Sequence, residues 1–338
     1  MDTTSLGWLF LGIVLTLFLM RKYFNGPATP HSKSMINKTV IVTGSNTGIG
    51  KETAFDLLEK GARVIFACRS ESRTLKAIEE LPNKKFSENA FFMSLDLSSY
   101  VSIDSFVKEF KSKFGKLDVL VNNAGGINDT FNIYEGIEST IKVNHIGTVY
   151  LTALLLDSLN QEAMVVNLSS EVHYRVTPKM FEKYLSTTDF TTGAGAHSAW
   201  YSYCFSKLCN VMHAMHLDAY FRQKGTKIKT ASLHPGVVAS DFYHRSETLL
   251  WKFLWGALGL VKYFFFKDNK MGAQTTLHVI YSDYDNLKSG AFFYDCAERK
   301  KNALCNDREN VEKVMKFTKT LIHNSLKNVP KELESYLQ

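Results

Sequence analysis

The chain has 338 residues, with 40 Lys and Arg against 33 Asp and Glu, and a formal net charge of +7. That length suits one large α/β domain or two modest ones, and it can bury a sizeable core. The basic excess fits a membrane surface, an anionic ligand or an ordinary solvated surface. No Lys/Arg cluster with interleaved aromatic residues is present, so nucleic-acid binding is not expected. The five cysteines lack the spacing of a metal site or disulfide framework, and we expect free thiols and no metal.

The amino-terminal segment predicts a membrane anchor. Residues 6–20 are apolar apart from two glycines and a threonine. As a helix this run reaches only about 22 Å, so crossing a hydrocarbon core of roughly 30 Å needs its flanking residues too. Arg21 and Lys22 follow the apolar run, which places the remaining chain in the cytosol. We predict an anchor over residues 1–24 and favour the endoplasmic reticulum membrane, with a buried core helix and an interfacial or hairpin-like insertion as alternatives.

After a linker rich in Pro, Gly and Ser over residues 25–37, strands alternate with helices. The predicted strands are Thr39–Thr43, Arg63–Cys68, Phe91–Leu95, Leu117–Val121, Met164–Leu168, Lys229–Leu233 and Ala291–Tyr294. The predicted helices are Gly48–Lys60, Ser70–Leu81, Val101–Phe114, Ile137–Leu159 and Trp200–Gln223. This alternation predicts a Rossmann-type, doubly wound parallel sheet in three α/β/α layers. We assign residues 38–338 to this single domain.

A Gly-rich turn between the first strand and the first domain helix predicts a dinucleotide site. It runs Thr43-Gly44-Ser45-Asn46-Thr47-Gly48-Ile49-Gly50. Glycines there let the backbone turn tightly and approach a pyrophosphate, while the helix start offers free N–H groups and a positive dipole end. A lone Gly motif is a weak signal and a structural turn is the alternative, but the strand–helix context favours a cofactor.

The end of the second strand favours NADP(H) over NAD. NAD sites usually place an acid there, to bind the ribose 2′-hydroxyl. This chain has Phe66-Ala67-Cys68-Arg69-Ser70, which contains no acid, and Arg69 can pair with a 2′-phosphate. Lys51, just after the Gly-rich turn, either adds to that pairing or is a solvated lysine.

Tyr203 and Lys207 lie four residues apart on one predicted helix and therefore share a face. A free phenol has a pKa of about 10, and a neighbouring ammonium lowers that pKa because it favours the phenolate. Such a pair can give a proton to a carbonyl oxygen, or take one from an alcohol, as a hydride moves. With the Gly-rich turn, it predicts hydride transfer between a nicotinamide and a carbonyl. Tyr201 has no Lys four residues on and is the weaker candidate.

Further motifs follow in a fixed order, and the set resembles the short-chain dehydrogenases/reductases over roughly residues 38–300. Besides the two motifs above, it comprises Asp96-Leu97, Asn122-Asn123-Ala124-Gly125, Val143-Asn144-His145, Asn167-Leu168-Ser169-Ser170 and His234-Pro235-Gly236. The stretches most similar to the retinol dehydrogenase branch are Ala67-Cys68-Arg69, Val143-Asn144-His145-Ile146-Gly147 and Ser206-Lys207-Leu208. The WW-domain-containing oxidoreductase and protochlorophyllide reductase are similar as well.

The resemblance implies several cofactor contacts. Asp96 would hold the adenine edge, with Leu97 beside it. The residues that would line the ribose and nicotinamide are Asn123, Ala124, Gly125, Pro235 and Gly236. Considered alone, Asp96 could equally be a helix N-cap and Gly125 a turn residue.

The resemblance also implies the catalytic roles. Tyr203 would be the acid/base and Ser170 would hydrogen-bond the reacting oxygen, whereas Ser169 would point the other way along its strand. Lys207 would hold the nicotinamide ribose, and Asn144 would bind a water that relays protons between Lys207 and solvent. The histidines interpreted as ordinary core or loop residues are His145, His173 and His234.

The substrate side departs from the family pattern in two places. The loop between Ser170 and Tyr203 is long and carries Phe181, Tyr184 and Phe190, and we expect this loop to roof the substrate site. After Pro235-Gly236 the family often has a cofactor-contacting Thr, for which Ser240 is the stand-in here.

A predicted lid over residues 240–270 includes the aromatic segment 249–266, with Trp251, Trp255, four Phe and two Lys. This segment suits a bilayer surface, helices of the core or, less well, a second span. With the anchor, it predicts a lipophilic carbonyl or alcohol such as a retinoid, a steroid or a fatty aldehyde. The alternatives are a hydroxysteroid dehydrogenase-type or protochlorophyllide reductase-like enzyme, or a non-catalytic NADP(H)-binding protein. The sequence leaves a homodimer open.

Overall fold

The described part of the chain is an α/β structure preceded by one apolar helix. The computed structural model describes residues 3–128, 130–187, 189–190, 198–238 and 263–337. The first helix, α1 (Thr3–Asn25), carries exposed apolar side chains along its length, among them Trp8, Phe10 and Phe18. Within the described ranges, no helix has the length and apolar character needed to cross a membrane. The span predicted for the amino-terminal segment is therefore not shown.

One large sheet organises the rest of the described chain. Its strands are β1 (Thr39–Thr43), β2 (Arg63–Cys68), β3 (Ala90–Ser94), β4 (Leu117–Asn122), β7 (Leu159–Leu168), β8 (Lys229–His234), β9 (Ala291–Tyr294) and β10 (Ala297–Arg299), and a separate hairpin contains β5 (Ile133–Tyr134) and β6 (Ile137–Glu138). The order in the sheet is β10-β9-β8-β7-β4-β1-β2-β3. All neighbours pair in parallel except β9 and β10, which are antiparallel. The strand order reverses beside β1, where ligands bind in open sheets of this kind.

Helices lie on both faces of this sheet. They are α2 (Gly48–Glu59), α3 (Glu71–Glu79), α4 (Tyr100–Lys113), α5 (Ser139–Ile141), α6 (Gly147–Leu155), α7 (Pro178–Leu185), α8 (Ala199–Gln223), α9 (Asn269–Tyr281), α10 (Arg308–Ser325) and α11 (Lys331–Tyr336). Alternate residues of β1 enter two separate cores: Val40 and Val42 pack with α2 and α9, and Ile41 packs with α4, α6, α8 and α10. The predicted three-layer parallel architecture is confirmed.

The prediction of one helix over Ile137–Leu159 was wrong at both ends. Ile137 and Glu138 form strand β6, and Leu159 begins strand β7. Between them, α5 and α6 are joined by a π-helical turn, Lys142–Ile146. Glu138 accepts hydrogen bonds from the backbone N–H groups of Thr140 and Ile141, so its carboxylate caps the helix start. The apolar pattern is continuous across these boundaries, and it therefore conceals them.

The linker lies against the domain. The backbone N–H of Thr29 donates to Gln274 of α9 at 3.0 Å, and His31 packs on His278 with 5.0 Å between ring centroids. Met35 is buried, and its N–H donates to the carbonyl of Lys60. These contacts fix the path of the chain from α1 to β1.

Candidate active site

A cleft of about 1420 Å³ opens at the carboxyl ends of the parallel strands. A single small-molecule site usually measures about 300–1,000 Å³, so this cleft has room for a dinucleotide and a second ligand together. Apart from Ser45 and the alternative contact Lys51, every described residue predicted to bind cofactor or to act in catalysis lines this cleft. The topology of the sheet therefore brings the predicted site residues together in one cleft.

The Gly-rich turn is packed directly against the end of β4. A Cβ on Gly50 would lie 2.4 Å from Asn123 Nδ2 and 2.6 Å from the Gly44 carbonyl oxygen, so only glycine fits there. Asn123 Nδ2 donates to the Thr43 carbonyl at 2.7 Å, and the N–H of Ala124 donates to Thr43 Oγ1 at 2.9 Å. This close packing leaves the start of α2 facing the cleft, as a pyrophosphate site requires.

Ser45 is the predicted cofactor residue that does not line the cleft. It is fully buried, and its hydroxyl donates to the Val42 carbonyl at 2.9 Å and contacts Cys68 Sγ. Its side chain therefore braces the turn from inside.

Two arginines mark the end of the cleft at β2. Arg69 lines it as predicted, and Arg73, in the first turn of α3, lines it too. Arg73 was not predicted from the sequence.

Lys51, the other cation considered for the 2′-phosphate, pairs with Glu80 at 2.8 Å. This fits the interpretation of Lys51 as a solvated lysine rather than a contact with phosphate. Asp96 lines the cleft and accepts hydrogen bonds from the N–H and the hydroxyl of Ser98. The N-cap of α4 is Ser99, so the N-cap alternative for Asp96 was wrong.

Tyr203 and Lys207 both face the cleft from α8, whereas Tyr201 is exposed on another face. The Lys207 ammonium donates to the Leu168 carbonyl at 3.1 Å and lies 5.6 Å from the centroid of the Tyr203 ring. Burial lowers the pKa of Lys207 to about 8, because the surroundings disfavour its charged form. The pair thus lies beside the end of β7, and Lys207 is still mostly charged at neutral pH.

Asn144 lies in the π-helical turn, a kind of irregularity that often occurs at functional sites. Its amide exchanges two hydrogen bonds with the Gly126 backbone, at 2.9 and 2.8 Å, and also donates to Ser206 Oγ at 3.0 Å. A Cβ on Gly125 would lie 2.9 Å from Asn144 Oδ1 and 3.3 Å from Lys207 Nζ. Gly125 therefore lets Asn144 and Lys207 approach each other.

The two serines after β7 point in different directions, as alternation predicts. Ser170 lines the cleft, where its Oγ accepts from the N–H of Val172. Ser169 Oγ donates to the Lys207 carbonyl at 2.6 Å and so ties β7 to α8.

His234 lies at the cleft, although the sequence predicted only an ordinary core or loop histidine. It lines the cleft, it is 4% exposed, and Tyr294 packs on its ring with 4.8 Å between centroids. Burial, followed by the positive charge of Lys267, lowers the pKa of His234 to about 3. His145 and His173 are buried, as expected, and burial lowers the pKa of each to about 4.

The loop predicted to roof the substrate site lines the cleft through Val172, Tyr174, Arg175 and Trp200, and its residues 188 and 191–197 lie outside the described part of the chain. Phe181, Tyr184 and Phe190 are buried in the core with α8 and do not line the cleft. Among the described residues, the exposed aromatic side chains at the cleft are instead Tyr134, Tyr174 and Trp200. Ser240 and most of the predicted lid, including segment 249–266 up to residue 262, lie outside the described residues.

Comparison with known proteins agrees with this geometry. The model of the short chain dehydrogenase family matches residues 38–193. Retinol dehydrogenase 11 of Homo sapiens is 35% identical over 282 residues, which cover 82% of this chain and 83% of that protein. The chain belongs to the short-chain dehydrogenase family. Within this family it lies in the retinol dehydrogenase-like branch, and it is an oxidoreductase that acts on CH–OH or C=O groups with a nicotinamide cofactor.

Solved structures of other proteins share the short-chain dehydrogenase fold seen here. A putative uncharacterized protein from Mycobacterium Paratuberculosis has a TM-score of 0.66 at 24% identity, covering 88% of this chain and 98% of its own. A short chain dehydrogenase from Burkholderia cenocepacia in complex with NADP has a TM-score of 0.57 at 18% identity, covering 77% and 97%. At these identities the likeness concerns the fold.

Proposed function

We propose that this chain is a membrane-attached oxidoreductase that transfers a hydride between NADP(H) and a lipophilic carbonyl or alcohol, such as retinal and retinol or a long-chain aldehyde. The observation that carries the proposal is the placement of Tyr203 and Lys207 in one cleft with the Gly-rich turn. We assign the attachment to residues 1–24 and the chemistry to residues 38–338, with the domain on the cytosolic side, most simply of the endoplasmic reticulum.

NADP(H) is favoured over NAD because the cleft has arginines and no acidic side chain at the end of β2. Arg69 and Arg73 both line that end, and a guanidinium pairs strongly with phosphate. The NADP bound to the Burkholderia cenocepacia enzyme supports the same choice. When bound, the nicotinamide would supply or accept the hydride.

The residues of the chain would then transfer the proton and orient the reacting oxygen and the cofactor. Tyr203 gives its proton to the carbonyl oxygen in reduction, or takes the alcohol proton in oxidation. Ser170 hydrogen-bonds the same oxygen and orients it, and Lys207 holds the ribose and favours the phenolate. Asn144, held by Gly126 and Ser206, is placed to hold a water between Lys207 and solvent.

The test is turnover by the full chain in detergent or vesicles, followed as NADPH consumption with retinal or a long-chain aldehyde. Tyr203→Phe removes the proton donor, and we expect kcat to fall by about 100-fold or more. Tyr201→Phe is the matched control, because Tyr201 is exposed and does not line the cleft. Full activity in Tyr203→Phe would refute the mechanism. NADP(H) binding without turnover on a broad carbonyl panel would favour the non-catalytic alternative, and turnover of steroids alone would favour a hydroxysteroid dehydrogenase.

A further inference from the structure

The carboxyl end of α1 is fixed to the domain by one arginine. The Arg21 guanidinium donates to the carbonyl oxygens of Tyr263 and Phe266, both at 2.5 Å, and lies 4.7 Å from the centroid of the Tyr263 ring. The Asp268 carboxylate, 3.7 Å away, is the N-cap of α9. Arg21 is only 17% exposed, so these contacts are largely shielded from water.

The segment that receives Arg21 also supports the wall of the cleft. The N–H of Lys267 donates to the Val237 carbonyl at 2.8 Å, and its ammonium pairs with Asp295 at 2.5 Å. Val237 lines the cleft directly after Pro235 and Gly236, where the nicotinamide is proposed to lie. Two steps therefore connect Arg21 to the site: Phe266 to Lys267 along the chain, then Lys267 to Val237 by a hydrogen bond.

Exposed aromatic side chains surround this connection. Phe24 packs on Phe265 with 4.9 Å between ring centroids, and both are more than a third exposed. Tyr23 and Tyr263 are 78% and 59% exposed. The neighbouring Lys22 is exposed as well. Aromatic rings with a few cations are typical of the interface between lipid and water.

Apolar exposure continues on the cleft itself. Tyr174, Trp200 and Val237 line the cleft and are 42%, 46% and 41% exposed. We name them, with Lys22, Tyr23, Phe24, Tyr263 and Phe265, the rim surface. α1 adds its own exposed apolar side chains directly beside it.

We propose that the rim surface rests on a lipid bilayer with anionic headgroups, and that Arg21 holds the cleft open toward that bilayer. An apolar substrate then passes from the lipid into the cleft without crossing water. The occupant is lipid because the rim surface combines rings and an exposed lysine and is continuous with the apolar α1. This inference rests on the proposed function and adds how the substrate reaches the site.

The first experiment uses the full chain on vesicles that contain phosphatidylserine, with retinal either dissolved in the vesicles or replaced by a short, water-soluble aldehyde. Arg21→Gln removes charge-assisted hydrogen bonds, and we expect KM for vesicle-borne retinal to rise about tenfold. Vesicle flotation and both constants for the soluble aldehyde should stay within about twofold. Lys33→Gln is the control, since it removes the same charge from an exposed linker residue outside the rim surface. Equal effects of the two variants, or equal losses on both aldehydes, would overturn the proposal.

A second measurement does not depend on turnover. The chain has four tryptophans, and replacing Trp8, Trp251 and Trp255 with Phe leaves Trp200 as the only reporter. Brominated lipids should quench Trp200 when the chain is bound to vesicles, and Arg21→Gln should reduce this quenching. Unquenched Trp200 in vesicle-bound protein would refute the bilayer contact even if the enzyme is active. Quenching without turnover of any carbonyl would refute the proposed function while leaving the rim surface intact.

Discussion

Arg69 and Arg73 both line the end of the cleft where we propose that the 2′-phosphate of NADP(H) lies. Arg69 follows β2 and was predicted, because the strand end is where a dinucleotide site selects its ribose. Arg73 was missed, although a signal existed: a cation in the first turn of a helix opposes the helix dipole and suggests an anionic partner. Gly50 and the Tyr203–Lys207 pair were predictable because steric limits and helical spacing leave few alternatives.

At the residue scale, we expect Arg69→Ala and Arg73→Ala each to raise KM for NADPH by about tenfold or more, since a hydrogen bond to a charged group contributes ~1.5–3 kcal/mol. KM for NADH should hardly change, because NADH carries no 2′-phosphate. Initial rates measured with each cofactor give the ratio of KM for NADPH to KM for NADH. Lys51→Ala is the control, as its ammonium is engaged by Glu80. A larger effect at Lys51 than at Arg69 would show that the 2′-phosphate lies elsewhere.

At the scale of elements, α8 explains why the placement of Tyr203 and Lys207 could be predicted from the sequence. The shape of the neighbouring turn was harder to predict. The sequence predicted the end of α8 at Gln223 and its start to within one residue, and placed Tyr203 and Lys207 on one face. The neighbouring π-helical turn was not predicted, because one extra residue in a helix leaves the apolar pattern almost unchanged. That turn nevertheless places Asn144 against Gly126 and Ser206, so an irregularity invisible in the sequence shapes the site.

Burial of the α8 lysine gives the enzyme a pH dependence. The pKa of Lys207 is lowered to about 8, so its charge is present below that pH and is lost above it. Since kcat/KM for NADPH reports ionisations of the free enzyme, we expect it to fall as pH rises through about 8. Lys207→Arg keeps a charge at all these pH values and should remove the fall, whatever its absolute rate. A wild-type profile that stays level to pH 10 would contradict the assignment.

At the scale of the whole molecule, the described core encloses four neutral histidines. Burial lowers the pKa values of His145 and His173 to about 4 and of His234 to about 3, and places that of His213 well below its usual value. The sequence indicated that histidines such as His145 belong to the core. It could not indicate how they pack with α8 and the sheet, because those contacts join residues far apart in the chain.

These histidines predict acid lability. Their folded-state pKa values lie below the unfolded value of about 6.5, so the unfolded chain binds more protons as the pH falls, and stability is present above about pH 6.5 and lost below it. Each histidine contributes a slope of up to about 1.4 kcal/mol per pH unit. Urea unfolding of the full chain in neutral detergent at several pH values measures that slope. His213→Asn should reduce it by about one proton, because the buried ring of His213 is lost. An unchanged slope in His213→Asn would exclude this origin.

The path of the linker has a practical consequence for anyone who shortens this chain. A Cβ on Gly26 would lie 2.7 Å from Asp295 Oδ1 and 2.9 Å from Lys267 Nζ, so the backbone there fits closely against the ion pair that supports the cleft wall. Cutting before residue 25 removes nearly all of α1, together with the contacts that Arg21 and Phe24 make with residues 263–268. Cutting at residue 38 also removes the linker backbone that lies on α9 and exposes that ion pair. We therefore expect the two shortened proteins to differ in their affinity for the cofactor as well as in solubility.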